Sequence, residues 1–328
     1  MNGGSDTPQS ELVVTAFSFA FSGLPEGSTA CLPLDGLGLI RAAGPEARSF
    51  LQNQLTHDSK LITPAQGQLS GYCSPKGRLL AVFTVLQLGV DDFALALPAA
   101  LLAPTLKRLK MFVLRSKLTL TDASAELLAL GVMGAEAAAA LAHLGLAAPT
   151  TDYGTTQCDD TWLLRRPGPV PRFELRASPT RLAALQQALN LPAARAEDWA
   201  LAEVLAGIPQ VTSETTDHFV PQTINLDTAG GVSFTKGCYP GQEIVARVHY
   251  LGRIKQRLRL AQASAPLAPG TAVLDENEHS VGEVMAAAPH PQQGALLALS
   301  LNVSHQDGAA LHSADGLVQL LPQTPAAA

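Results

Sequence analysis

The sequence predicts an α+β protein: two related α+β halves, then a small antiparallel barrel or sandwich. Three observations carry this. Ile40 to Ala47 reads IRAAGPEA, and Leu130 to Ala137, ninety residues on, reads LGVMGAEA. Each half then alternates strand and helix signals in a βαββαβ-like order. Beyond residue 250 the helical patterns give way to short apolar runs between turn signals.

In both echoes an apolar, strand-like run meets Gly-x-Glu-Ala and passes into helical periodicity. The first helix is expected over 45–55 and the second over 135–144. Phe93-Ala94-Leu95 reads as a strand before a helix near 98–111. Phe173-Glu174-Leu175 reads as one before a helix near 179–189. Residues 199–206 (WALAEVLA) form a short helix stopped by Gly207-Ile208-Pro209. From Arg253 to Leu260 the pattern has period two. Arg253, Lys255, Arg257 and Arg259 share one face, and Ile254, Leu258 and Leu260 the other, as in a half-buried strand. Residues 261–270 (AQASAPLAPG) read as a linker, and 271–320 as the barrel or sandwich. The expected division is a flexible segment 1–28, a first α+β unit 29–122, a second 123–250, a β-barrel 251–322 and a tail 323–328.

At 328 residues and 34.2 kDa, with 47% hydrophobic residues, the chain has ample material for its cores. Its 22 basic residues against 28 acidic give a formal net charge of −6, which argues against a bulk nucleic-acid coat. The most apolar stretch, 132–148, is broken by Glu136 and His143 and reads as an amphipathic helix, too short to span a membrane. A polar start without a basic n-region points to a cytoplasmic protein. Cys31, Cys73, Cys158 and Cys238 lie far apart, with no spacing suited to zinc, so no metal site is expected. His57, His143 and His218 are isolated and read as structural or surface histidines.

The densest run of unusual residues is 230–247, GGVSFTKGCYPGQEIVAR. Gly237 and Gly241 bracket Cys238 and admit backbone geometry other residues resist. A helix starting near Pro240 would aim unpaired N–H groups at Cys238, and Lys236 would add a cation, both favouring a thiolate. Glu243 either opposes this or anchors the turn by accepting backbone N–H bonds.

The segment KGCYPGQEIVAR resembles the signature of the YgfZ group of folate-binding proteins. These are relatives of the glycine cleavage T-protein, an aminomethyltransferase, and of mitochondrial factors that help mature iron–sulfur enzymes. Phe50 to Thr56 (FLQNQLT), Cys73 to Leu80 (CSPKGRLL), Gly207 to Pro209 (GIP) and Phe219 to Phe234 (FVPQTINLDTAGGVSF) resemble the family's successive blocks. The resemblance implies a three-part ring of two ferredoxin-like α+β units and a C-terminal β-barrel, with a reduced folate such as tetrahydrofolate in a central channel. It implies that Cys238 is the essential thiol, with Lys236, Tyr239, Glu243 and Arg247 of the same signature around it. The implied role is to sustain iron–sulfur enzymes, including those that thiolate tRNA, so folate and iron–sulfur enzymes or their assembly factors are the expected partners.

Trp199 falls where folate-binding members place a tryptophan, and an indole offers a flat surface to a pterin. At the family's second tryptophan this chain has Leu37. Gln222 and Asn225 present amides that can match a pterin edge, and Glu203, one turn from Trp199, a carboxylate for its amino group. The acidic pair of the aminomethyltransferases falls on Ala81 and Val82, which move no proton. That argues against glycine-cleavage activity, leaving folate-dependent one-carbon transfer as an alternative. A third reading is direct tRNA binding by the basic strand 253–259. Ten of the basic residues crowd into two windows, Lys107, Arg108, Lys110, Arg115 and Lys117, and Arg247, Arg253, Lys255, Arg257 and Arg259.

Overall fold

The two Gly-x-Glu-Ala segments open the same supersecondary unit twice. A computed structural model of the chain describes residues 17–305 and 310–322. After β1 (Thr29–Pro33), the first unit runs β2 (Leu37–Ala43), α1 (Ala47–Gln54), β3 (Gln68–Cys73), β4 (Leu79–Gly89), β5 (Asp92–Pro98), α2 (Ala99–Lys110) and β6 (Thr119–Asp122). The second runs β7 (Leu128–Gly134), α3 (Ala137–His143), β8 (Thr155–Cys158), β9 (Thr161–Arg166), β10 (Arg172–Ala177) and α4 (Pro179–Leu189). The first sheet has the order β3-β4-β5-β2-β6, and the second β8-β9-β10-β7-β1, both antiparallel. Strand for strand these are the same sheet. The last place of the second is filled by β1, which enters from the front of the chain and pairs with β7 from Thr29↔Gly134 to Pro33↔Leu130. Although 29–33 precede the first unit in sequence, they complete the second.

The apolar stretch 132–148 is therefore strand, turn and helix rather than one amphipathic helix, because Gly134 breaks it. Gly44 and Gly134 do the same work. Their φ angles are 136° and 122°, and a Cβ on either would lie 2.5 Å from the Lys117 carbonyl oxygen or 2.2 Å from that of Ser28. Those carbonyls precede β6 and β1, the equivalent edge strands. Gly134→Ala is expected to lower stability by roughly 2 kcal/mol or more. Gly145→Ala, with positive φ but open space around it, should cost less. Thermal unfolding of the two variants compares them directly.

After α5 (Ala196–Leu205) and a long connection comes α6 (Gln242–Tyr250). The remainder is β11 (Gln256–Ala263), β12 (Ala272–Leu274), β13 (Ser280–His290), β14 (Gly294–Asn302), β15 (Leu311–Ser313) and β16 (Gly316–Leu320). They close a six-stranded barrel in the order β11-β14-β13-β12-β15-β16, which decides for barrel over sandwich. The first barrel strand starts at Gln256, where pairing with Asn302 of β14 begins, and takes in residues 261–263 of the expected linker. Arg253 and Lys255 lie ahead of it. Arg257 is not part of a free basic face: its Nη1 donates to Asp227 Oδ1 at 2.6 Å and to the Gln222 carbonyl at 3.1 Å.

The segment 17–28, expected to be flexible with the rest of 1–28, is packed. Phe21 is buried in one cluster with Trp199, and Ser22 N donates to Asp198 Oδ1 at 2.7 Å. His290 Nε2 donates to the Ser18 carbonyl at 2.9 Å. Aromatic rings supply the burial that the polar start lacks. Residues 1–16 and the tail 323–328 lie outside the described residues. Among the described residues no helix is long and apolar enough to cross a membrane.

Candidate functional site

A cavity of about 420 Å³ opens where the parts meet. Leu69, Val82 and Thr84 of the first sheet face Arg166 and Glu174 of the second; α5 contributes Trp199 and Glu203, and β13 contributes Ala286 and Ala287. Leu37 lies on the wall where the family's second tryptophan is expected. Of the expected folate ligands, the fold thus brings together Trp199, Leu37 and Glu203. Val82, at one position of the missing acidic pair, is also on the wall, while Ala81 is buried behind it.

The buried charges of the wall belong to one ion network. Glu203 Oε1 accepts from Arg172 Nη1 at 2.6 Å and Arg166 Nε at 3.1 Å; Oε2 accepts from Arg166 Nη2 at 2.6 Å. Burial alone would raise the Glu203 pKa, but the two guanidiniums outweigh it and hold the carboxyl below its ordinary value. Arg166 Nη1 also donates to Thr84 Oγ1 at 2.7 Å, and the Arg172 guanidinium stacks over the Trp199 ring at 5.1 Å. Glu174 Oε1 accepts from Arg176 Nε at 2.6 Å. Among the described residues its Oε2 accepts no hydrogen bond, and Arg166 Nη1 lies 3.9 Å from it. A buried carboxylate oxygen without a donor, on the wall of a cavity, suits a ligand edge rich in N–H groups. The residues present therefore fit a pterin ring: flat apolar contact from Trp199 and Leu37, and acceptors from Glu174 and Glu203.

Arg166, Arg172 and Glu174 did not emerge from the motif reading. The signal is nevertheless in the sequence. In RFELRA, Arg172, Glu174 and Arg176 alternate with apolar residues, as if on a solvent face, yet every residue of that strand is buried. Gln222 and Asn225 lie away from the cavity. Gln222 Nε2 donates to the Val245 carbonyl of α6 at 2.8 Å. Asn225 Oδ1 accepts from Leu258 N at 3.2 Å, joining the connection to the barrel.

The signature forms a second, separate centre, and the scattered sequence blocks converge on it. Gly241, with φ of 80°, caps α6 and touches the Cys73–Arg78 turn so closely that a Cβ would lie 2.4 Å from the Ser74 carbonyl oxygen. Ser233 N donates to the Thr56 carbonyl at 2.9 Å, and Thr56 Oγ1 donates to the Gly231 carbonyl at 2.6 Å. Leu79 N donates to the Phe219 carbonyl at 2.7 Å. Between these contacts the signature turns its residues alternately in and out. Lys236 is buried, its ammonium donating to the carbonyls of Gln52, Leu55 and His57 at the C-terminal end of α1. Burial pushes its pKa down to about 8. The cation expected to activate Cys238 is thus committed to a helix end, where a positive charge is favoured. Tyr239 is buried, its ring 5.2 Å from the Lys236 ammonium. Cys238, Glu243 and Arg247 are exposed. Among the described residues Glu243 makes no hydrogen bond in the turn, which is held by Gly241 and Lys236; it is exposed in the first turn of α6. All four cysteines are free, and Cys238 alone is exposed.

No family model matches the chain. The tRNA-modifying protein YgfZ of Colwellia psychrerythraea (strain 34H / ATCC BAA-681) is 32% identical over 268 residues, which is 80% of this chain and 82% of that protein. That of Edwardsiella ictaluri (strain 93-146) is 34% identical over 257 residues, 76% of this chain and 77% of its own. Among solved structures, the glycine cleavage system aminomethyltransferase T from Bartonella henselae superposes with a TM-score of 0.76, covering 91% of this chain and 86% of that one. At 17% identity this likeness concerns the fold alone.

Proposed function

Because the chain belongs to the family of the tRNA-modifying protein YgfZ, we propose that it is a cytoplasmic folate-binding accessory protein. In this reading it sustains iron–sulfur enzymes, those that modify tRNA among them, with Cys238 as its functional thiol. The observation that carries the folate part is the cavity wall, where Trp199 and two buried carboxylates, one with an unpartnered oxygen, surround space for a flat heterocycle. A bound tetrahydrofolate would supply a carrier for one-carbon units. Trp199 and Leu37 would sandwich or abut its ring, Glu174 and Glu203 would accept its N–H groups, and Arg166 and Arg172 would keep Glu203 ionised.

That last point separates this reading from aminomethyl transfer. Val82 stands where a transferase needs an acid, and Glu203 is held deprotonated by two arginines, so it donates no proton near neutral pH. The exposed turn suits Cys238 to react with, or transiently hold, something delivered from outside, since the thiol is open while its turn is fixed by buried contacts.

Calorimetric titration with tetrahydrofolate tests the first part. A saturable heat is expected, weakened about tenfold or more by Trp199→Ala through loss of ring contact. No heat from the wild-type protein overturns it. For the second part, Cys238→Ala is expected to abolish restoration of tRNA thiolation in a strain lacking the protein; full restoration by that variant removes the role of the thiol.

A further inference from the structure

The exposed face of α6 ends in an aromatic cluster that neither the cavity nor the thiol uses. The Phe234 and His249 rings stack at 3.6 Å and 13°, and the Tyr250 ring meets both edge-on, at 6.3 Å and 4.7 Å. Tyr250 is 64% exposed and Leu251 85%. Arg247 sits one turn before Tyr250 on the same helix face. Gly252 then turns the chain back, its N–H donating to the Arg247 carbonyl at 2.9 Å, and leads straight into Arg253 and Lys255. Arg247, Arg253 and Lys255 are exposed, and among the described residues their side chains form no ion pair. In a chain of net charge −6, three unneutralised cations beside an open aromatic face are a local reversal of sign.

From this juxtaposition we propose that the Phe234–His249–Tyr250 cluster, flanked by Arg247, Arg253 and Lys255, is a binding platform for single-stranded RNA such as an unpaired tRNA loop. Bases stack on exposed ring faces regardless of sequence, while cations alongside take the phosphates. A duplex keeps its bases stacked inside and offers nothing to the rings. A protein partner would call for a wider apolar surface than one tyrosine and one leucine. The platform lies at the far end of α6 from the Cys238 turn, about 12 Å along the helix axis. The choice of tRNA as polymer rests on the proposed role in tRNA modification; the platform itself does not depend on folate.

The test is fluorescence anisotropy of a labelled anticodon stem-loop RNA titrated with the full chain between 50 and 200 mM salt. Saturable binding is expected, with a log–log salt slope near −2, from about 0.7 for each of three phosphate contacts. Tyr250→Ala is expected to weaken it about tenfold, within the range for losing one stacked base. Arg253→Gln and Lys255→Gln should each make the slope shallower by about 0.7. Circular dichroism and tetrahydrofolate titration of the same variants, expected to match the wild type, exclude misfolding. Absence of binding at 50 mM salt, equal binding of a blunt duplex, or binding indifferent to Tyr250→Ala overturns the proposal. A platform that serves a protein would show up as the last of these together with a client protein retained by the wild type and lost in Tyr250→Ala. If RNA binds but tetrahydrofolate does not, the folate reading fails and the platform stands.

Discussion

Glu203→Gln is expected to destabilise the protein by about 3–5 kcal/mol, the cost of removing one partner from a buried ion network. Arg166 and Arg172 are both buried, and all three of their bonds to Glu203 would be lost or weakened. The amide that replaces the carboxylate carries no charge and brings N–H groups toward two donors. Replacing all three residues with apolar side chains of similar volume should recover much of the loss, because it leaves no uncompensated charge. Urea unfolding of the single and triple variants decides this, and a single variant within 1 kcal/mol of wild type would show that the network does not stabilise the cavity wall. A pH signature accompanies it. With the folded pKa of Glu203 held below its ordinary 4.5, the unfolded chain binds more protons than the native one between those two values. Its stabilisation is complete above about pH 4.5 and fades as pH falls through the folded pKa. The acid limb of stability should be shallower in Glu203→Gln.

Lys236→Met is the second large effect. Methionine keeps the stem and drops the ammonium, leaving the Gln52, Leu55 and His57 carbonyls without their donor. At about 1 kcal/mol or more for each buried acceptor, and some relief from no longer burying a charge, the net loss is about 2–4 kcal/mol. Function should be lost along with it, because Lys236 and Tyr239 are the two buried anchors that flank Cys238. The discriminating measurement is the rate of Cys238 alkylation. If Lys236 is a positioning residue, Lys236→Met changes that rate and loosens protection of the turn in hydrogen exchange. If it activates the thiol directly, the rate falls while protection is unchanged.

The fold was legible largely because its repeat is written in glycine. Gly44 and Gly134 must be glycine for the same steric reason, so the two halves echo where side chains otherwise drift. The helices 179–189 and 47–54 follow from periodicity, and a barrel or sandwich from the regular turns, between which the closed strand order decides. The placement of β1 was not legible, since nothing local in Thr29–Pro33 says which of two similar sheets it will join. Period two misled at 253–260, where alternating arginines suggested a solvent face but Arg257 reaches back to Asp227. The site was half legible. Trp199, Leu37 and Glu203 follow from the family resemblance and meet on the cavity wall. Arg166 and Arg172 escaped because a charged residue in a strand reads as exposed until the partner that buries it is known. Lys236 was drawn toward Cys238 by nearness in sequence, whereas across a tight turn residues two apart can face opposite ways.

The borrowed first strand has a consequence for synthesis. The ribosome makes Thr29–Pro33 about a hundred residues before Leu128–Gly134, the strand that will receive it. At roughly 5–20 residues per second, that is a wait of about 5–20 s, during which the first sheet can close and an apolar strand is held unpaired. A fragment starting at residue 123 emerges without its edge strand and should aggregate, while adding residues 29–33 in trans, or moving the chain's start by circular permutation to residue 34 with the old ends joined, tests whether the order of emergence or only the presence of the strand matters.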